Sequence, residues 1–155
     1  MARSDFCMPT DTYVYYFEVT IEELLLKDGE DGPPEVSVGF CEEHVSLSQM
    51  VGWDDGAWGY HSDDGHKYEE ATRGSSYGDK YAKGATIGCG VNFHDRTAFF
   101  TKDGNFLGRY LPIFSRLSSL HSHNHIIMFA HYPTQGKPSP ESGASCIRPS
   151  PLAAT

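Results

Sequence analysis

Three histidines at alternating positions are the residues whose types and spacing most resemble a metal site. If this segment is extended, His121, His123 and His125 place their imidazoles on one face, which suits two or three zinc ligands, and His131 could add a fourth. A catalytic zinc site also needs carboxylates that fix the imidazole tautomers, and no Asp or Glu occurs between Leu111 and Gly136. The pattern therefore favours a polar loop without metal or cofactor. A small metal-binding β-protein enzyme that uses this cluster is the alternative.

Acidic pairs and one cysteine are the other side chains that could do chemistry. Asp54-Asp55 and Asp63-Asp64 each precede a glycine, as turn residues do, and Gly65 comes too early for the spaced oxygen ligands of a calcium loop. Cys89 lies within a strand pattern rather than at the strand-to-helix elbow of a nucleophile, so a buried thiol is the simpler interpretation. We therefore predict no catalytic residue.

Charge and composition exclude several classes of partner. The chain carries a formal net charge of −9, with 21 acidic and 12 basic side chains and no long basic run, so nucleic-acid binding is not expected. No run of about 18 apolar residues could span a membrane, and the first residues lack the apolar core of a secretion signal. We expect a cytoplasmic protein, with the nucleus as the alternative compartment, and a basic or neutral protein segment as partner. The four cysteines are scattered, so free thiols rather than a disulfide framework are expected at Cys7, Cys41, Cys89 and Cys146.

Residues 84–108 are organised as three successive antiparallel strands with their turns. Apolar residues alternate with small or polar ones over residues 87–91, and residues 97–101 are β-branched and aromatic. Asp103-Gly104 predicts a hairpin turn, because a turn that matches strand twist needs positive φ, which Gly adopts freely and Asp tolerates. Such a meander cannot bury its apolar face alone, so a second sheet must cover it.

Four further strands are predicted from period-two patterns. They cover residues 13–21, 35–41, 57–61 and 125–130. On the first of them Tyr15, Phe17, Val19 and Ile21 share one face.

The segments between these strands have less regular patterns. Residues 22–27 could form a short helix before an exposed acidic loop over residues 28–34, and residues 66–83 are expected to be a semi-ordered surface excursion. The predicted organisation has three parts, namely a lead-in of residues 1–12, a β-sandwich of residues 13–130 and a Pro/Ser-rich disordered tail of residues 131–155.

Several short motifs occur in order between residues 13 and 110. They are Tyr15-Tyr16-Phe17-Glu18-Val19, Val38-Gly39-Phe40, Gly52-Trp53, Trp58-Gly59-Tyr60-His61, Asp63-Asp64-Gly65, Ile87-Gly88-Cys89-Gly90-Val91-Asn92, Phe100-Thr101-Lys102-Asp103-Gly104 and Leu107-Gly108. Together they resemble the signature of a SPRY (B30.2-like) domain. The blocks GYHSDDGH and YGDKYAKGATIGCGVN are most similar to the branch of Ran-binding protein M and its scaffold relatives in CTLH/GID-type ubiquitin ligases.

The resemblance implies a bent, concanavalin-like antiparallel β-sandwich that binds other proteins and performs no catalysis. SPRY domains also have strands before the Tyr15–Val19 motif and close with a strand of the type VNFG. This chain begins about a dozen residues before Tyr15 and carries Met128-Phe129-Ala130 in place of the closing strand. A sandwich that is incomplete at both ends is therefore expected.

Large apolar side chains on the predicted strands form the expected core. Burying one Trp removes about 150 to 250 Å² from water, which is worth roughly 4 to 6 kcal/mol as an upper bound. That magnitude favours a structural role for the aromatic residues. The predicted core consists of Tyr15, Phe17, Val38, Phe40, Trp58, Tyr60, Ile87, Val91 and Phe100.

Two loops are candidates for partner binding. Apolar side chains in a loop need either their own core or a neighbour to cover them, and these two interpretations are equally weighted here. In SPRY relatives the loop before the Gly-Trp position and a loop near the end of the sandwich form a shallow peptide-binding face. The resemblance therefore implies contacts to a segment of a partner protein through His44, Val45, Leu47, Met50, Val51, Leu120, His121, Ser122 and Asn124.

Overall fold

The computed structural model of the chain describes residues 2–9, 11–22, 35–46, 48–109 and 126–131. Within these ranges the chain forms ten strands and no helix, so it has no helix there that could cross a membrane. The strands are β1 (Ala2–Cys7), β2 (Val14–Thr20), β3 (Ser37–Glu42), β4 (Ala57–His61), β5 (His66–Glu69), β6 (Ser75–Ser76), β7 (Thr86–Asn92), β8 (Thr97–Lys102), β9 (Asn105–Arg109) and β10 (Ile126–His131).

The strands form two antiparallel sheets. The six-stranded sheet has the order β1-β10-β3-β4-β5-β6, and the four-stranded sheet has the order β2-β7-β8-β9. Neighbouring strands in both sheets run antiparallel. The prediction of an all-β antiparallel sandwich is therefore confirmed.

The predicted meander is present as β7, β8 and β9. Lys102 pairs with Asn105 across the last turn, and both residues between them have positive φ, 51° at Asp103 and 78° at Gly104. Two successive positive φ angles give the turn a twist that matches its strands. The earlier turn joins Asn92 to Thr97. The turn chemistry read from the sequence therefore sets the register of this sheet.

Aromatic side chains from both sheets meet in the core. Phe40 of β3 stacks on Phe100 of β8 with ring centroids 5.6 Å apart, and the Tyr60 ring of β4 lies 5.8 Å from Phe100. Alternation along each strand turns these side chains to the same interior. Of the residues predicted as core, Tyr15 is half-buried against this cluster, and the buried ones are Phe17, Val38, Phe40, Trp58, Tyr60, Ile87, Val91 and Phe100.

Two segments have more strand structure than the sequence predicts. Part of the expected lead-in forms β1, whose one partner among the described strands is β10, in a register that joins Ala2 to Ala130. Part of the expected surface excursion forms β5 and β6. Tyr81, farther along that segment, is buried, and its hydroxyl contacts the carbonyls of Val36 and Tyr60 at 3.0 and 2.7 Å. An antiparallel sheet can leave one face open to water, so strands with many polar residues can belong to it.

Several predictions fall outside the described residues. These concern the helix over residues 22–27, of which only Glu22 is described, the acidic loop of residues 28–34, and the tail after His131. The histidine cluster His121, His123 and His125 lies outside as well. The last predicted strand is present as β10, one residue later than expected.

Candidate partner-binding site

Residues 43–56 connect β3 to β4, and this β3–β4 loop folds back over the outer face of those two strands. The Val51 N–H donates to Ser37 Oγ at 3.1 Å, and the Ser37 hydroxyl contacts Met50 Sδ at 3.6 Å. The Val51 carbonyl lies so close to Gly59 that a Cβ there would overlap it. Backbone of the loop therefore packs directly on backbone of the sheet, and both faces of β3 and β4 are covered.

His61 connects the loop to the sheet by a buried hydrogen bond. Its Nε2 lies 2.7 Å from the Val51 carbonyl oxygen, and because that oxygen can only accept, Nε2 carries the proton. The ring stacks on Tyr68 with centroids 3.9 Å apart, and the Tyr68 hydroxyl donates to Asp64 at 2.7 Å. Burial lowers the pKa of His61 below its ordinary value of 6.5. The imidazole is therefore neutral at physiological pH and has a structural role.

The apolar residues of the loop face inward. Val45 and Val51 form a small cluster with Cys41 and Ala57 on the outer face of the sheet, and Met50 is also buried. This placement corresponds to the interpretation in which the loop packs on its own core. His44 is different, because its side chain is 71% exposed and lies 3.4 Å from the Glu42 carboxylate.

Partner binding through the predicted loop residues stays a prediction. Among those described, His44 alone presents a well-exposed side chain, whereas the three buried ones would have to leave the sheet to contact a partner. Leu47 lies outside the described residues, as do all the members from the second loop, which are Leu120, His121, Ser122 and Asn124.

The register of β10 places its first residue beside the end of β3. Ile126, the first residue of β10, is the partner of Glu42 at the end of β3. Asn124 precedes Ile126 by only two positions, and the β3–β4 loop begins directly after Glu42. The described start of β10 therefore lies at the corner of the sheet from which the β3–β4 loop leaves.

Carboxylates surround this corner and form what we call the acidic rim. The Gly56 N–H donates to Glu70 Oε1 at 2.9 Å, and a Cβ on Gly56 would lie 3.2 Å from the Glu42 carboxyl carbon, so two acids flank one glycine. A cation is also close, because the Arg3 guanidinium donates to the Glu43 carbonyl at 3.1 Å. The acidic rim consists of Glu42, Glu43, Asp54, Asp55 and Glu70.

Trp53 belongs to the β3–β4 loop, although the sequence analysis named it only as part of the Gly52-Trp53 motif. Its half-buried ring lies 6.1 Å from that of His61 and 6.5 Å from that of Tyr68. The buried indole Nε1 has no hydrogen-bond partner among the residues that the structure describes. Gly52, with φ of 102°, turns the chain just before it. A tryptophan after such a glycine is a signal that could have marked this position.

The two buried thiols are not activated nucleophiles. Burial raises the pKa of Cys89 well above its ordinary value and that of Cys41 to about 11, so both thiols stay protonated at neutral pH. Asp64 accepts from the Tyr68 hydroxyl and from the His66 N–H at 2.8 Å, which makes it a turn residue. Within the described ranges, no three His, Cys, Asp or Glu side chains gather as metal ligands.

Comparison with known proteins gives a consistent result. The family model described as SPRY domain matches residues 14–122. Ran-binding protein 9 of Xenopus tropicalis is 40% identical over 106 residues, which cover 68% of this chain and 18% of that protein. Ran-binding protein 10 of Danio rerio is 37% identical with 68% and 17% coverage, and the Ran-binding protein M homolog of Arabidopsis thaliana is 31% identical with 65% and 20% coverage.

A solved structure shares the fold. The crystal structure of a human SPRY domain superposes with a TM-score of 0.58 at 23% sequence identity, covering 84% of this chain and 76% of that one. The chain spans about a fifth or less of the length of the curated relatives described above.

Proposed function

Because this chain belongs to the SPRY domain family, we propose that it is a non-catalytic protein-interaction module whose rim segments bind a segment of a partner protein. The observation that carries this proposal is the family match over residues 14–122, on an antiparallel sandwich of two sheets. The two buried thiols with raised pKa values support the absence of nucleophilic chemistry.

The chemistry of the corner indicates what kind of segment would bind there. His44 is exposed, and the acidic rim supplies negative charge. Carboxylates favour a segment that carries Lys or Arg, through ion pairs. The net charge of −9 acts in the same direction over longer distances. The proposed ligand is therefore a basic or neutral segment of another protein.

The relatives suggest the cellular context of this module. Ran-binding protein 9, Ran-binding protein 10 and the Ran-binding protein M homolog are several times longer than this chain. We propose that the chain acts as an interaction module of a scaffold, in the setting of a CTLH/GID-type ubiquitin ligase. We also propose a cytoplasmic location, with the nucleus as the alternative compartment.

A peptide array followed by fluorescence anisotropy tests the proposal. The array carries extended peptides with and without Lys and Arg, and the best binder is then titrated against variants of the full chain. Asp55→Lys reverses a charge in the acidic rim, whereas Asp79→Lys reverses one at a side chain that is 92% exposed beside Lys102, on a different part of the surface.

The two variants make the outcomes distinct. We expect Asp55→Lys to weaken binding of the basic peptide about tenfold at low salt and Asp79→Lys to change it less than about twofold. Higher salt should weaken the wild-type complex. An array without any bound peptide, or equal effects of the two reversals, would contradict a binding face at this corner.

A further inference from the structure

β2 is the edge strand of the four-stranded sheet, and its pairing with β7 contains no shift in register. Its seven residues pair with β7 without a shift, from Val14 opposite Asn92 to Thr20 opposite Thr86. The pairings of β1 and β9, at two other sheet edges, both contain a shift. The strand contains no proline, and Glu18 is its single charged residue. Bulges, prolines and charges are the features that normally prevent pairing at an edge, so β2 is weakly protected.

The hydrogen bonds at the two ends of β2 show which backbone groups point outward. The Phe93 N–H donates to the Tyr13 carbonyl and the Ile21 N–H donates to the Ala85 carbonyl, each at 2.9 Å. Antiparallel pairs alternate between bonded and non-bonded positions, so the odd-numbered residues of β2 bond to β7. The N–H and C=O groups of Val14, Tyr16, Glu18 and Thr20 therefore point away from β7. In the described part of the chain, no strand pairs with them.

Side chains do not obstruct this edge. The Tyr16 ring lies across Gly88, where a Cβ would overlap its hydroxyl, and that hydroxyl makes a 2.8 Å hydrogen bond to Thr101 Oγ1 on β8. The ring therefore leans toward the middle of the sheet. At the start of the strand, Tyr13 is 80% exposed and Val14 is 47% exposed. Apolar surface is thus available beside an open row of backbone donors and acceptors.

We propose that β2 pairs antiparallel with β2 of a second copy of this chain, about a two-fold axis at Phe17, which joins two four-stranded sheets into one. In this register Val14 lies opposite Thr20 of the partner subunit, and Tyr16 lies opposite Glu18 of the partner subunit. Each of these outward-facing pairs exchanges two hydrogen bonds with its counterpart. The interface uses the same residues from both copies, as a two-fold axis requires.

In several registers the outward-facing residues of the two β2 strands lie opposite each other. The charge on Glu18 selects the one proposed here. Moving the axis to Glu18 would place the two carboxylates directly opposite each other, which is unfavourable. Moving it to Tyr16 would leave the backbone groups of Thr20 opposite Thr12, outside the strand. The axis at Phe17 avoids both problems. A second copy also explains why a regular edge with exposed apolar residues is tolerated.

Sedimentation and light scattering of the full chain test the proposal between about 1 µM and about 200 µM, because dimer formation depends on protein concentration. We expect a reversible dimer that strengthens as salt increases, since each copy carries a net charge of −9. Partner binding at the acidic rim should respond to salt in the opposite direction. The two proposals can therefore fail independently.

A pair of substitutions at one position tests the edge itself. Glu18→Pro removes an outward-facing N–H but no bond to β7, and proline is tolerated at sheet edges. Glu18→Thr keeps that N–H and also removes the charge. We expect Glu18→Pro to raise the dimer dissociation constant at least tenfold, and Glu18→Thr to leave it unchanged or lower it.

Hydrogen exchange of the wild-type chain gives a readout that needs no variant. The amides of Val14, Tyr16, Glu18 and Thr20 should be protected in the dimer and should exchange rapidly after dilution to monomer. A chain that stays monomeric at all these concentrations would overturn the proposal. So would protection of these amides in the monomer, which would mean that the chain covers its own edge, or a dimer unaffected by Glu18→Pro.

Discussion

The outer faces of the two sheets both contain glycines, but different groups cover them. On the six-stranded sheet, Gly39 contacts the β4 backbone and Gly59 admits the Val51 carbonyl of the β3–β4 loop. On the four-stranded sheet, Gly88 and Gly90 lie beneath the rings of Tyr16 and Phe99, which stack with centroids 6.0 Å apart.

The difference shows how one residue type can produce a closed and an open surface. Where backbone lies on the glycines, the sheet is sealed by the loop. Where side chains lie on them, the covering groups are partly exposed rings, and the adjoining edge strand β2 has no strand partner beyond β7 in the described part of the chain. A glycine within a strand therefore indicates close approach of another group, but not which kind of group approaches.

Substitution of the glycines should separate the two faces most strongly. In Gly59→Ala the new methyl group meets backbone atoms of the loop, which cannot rotate away, so we expect a loss of about 3 kcal/mol or more in the free energy of unfolding. In Gly88→Ala it meets the ends of the Tyr16 and Thr101 side chains, and we expect a loss of about 1 kcal/mol. Urea denaturation measures both values. Equal losses would mean that the two faces are equally rigid.

Removing two methyl groups from a valine compares the same faces without adding atoms. Val51 is 2% exposed beneath the loop, whereas Val14 is 47% exposed at the edge. We expect Val51→Ala to cost about 2 kcal/mol and Val14→Ala less than about 0.5 kcal/mol, because only the first leaves a cavity. If the two variants have the same denaturation midpoint, the loop is not packed on the sheet in solution.

The closed face should also be sensitive to pH through His61. Burial holds the pKa of this imidazole below 6.5 in the folded chain. Below pH 6.5 the unfolded chain binds a proton that the folded chain does not, so stability is fully present above that pH and decreases as pH falls, by at most about 1.4 kcal/mol per pH unit. Denaturation at pH 7.5 and pH 5.5 measures the difference. His61→Gln serves as the control and should reduce this dependence.

The smallest effect is expected on the open face at β9. Phe106 is 59% exposed, and its ring lies 5.7 Å from that of Phe99. Phe106→Thr should change the free energy of unfolding by less than about 0.5 kcal/mol and reduce binding of a hydrophobic dye such as ANS. A large loss of stability would indicate that this face is covered in solution.

Much of the fold could be predicted from local patterns. The alternation in β2, β3 and β7 and the Asp103-Gly104 turn each act over a few residues, so a single sequence reveals them. The buried aromatic residues Phe40, Tyr60 and Phe100 follow from the same alternation.

The candidate site was harder to predict because its contacts are not periodic. The β3–β4 loop has no regular pattern, and it packs on β3 and β4 through contacts between residues such as Val51 and Ser37 that a period cannot show. The available signal was the small size of the residues on the outer face of β3 and β4, which are Ser37, Gly39 and Gly59. Small residues within strands often mark a place where another segment approaches the sheet closely. No sequence pattern indicated that the His61 side chain is buried, because its burial depends on the loop that packs over it.

The pairing of β1 with β10 has a consequence for the order in which the fold can assemble. β1 is synthesised before β10, which is its only described neighbour in the sheet. At about 5–20 residues per second, a ribosome needs on the order of 10 seconds to synthesise the intervening chain. During that time the nascent β1 has no strand to join. The ladder between β1 and β10 therefore forms only after all the other described strands have been synthesised.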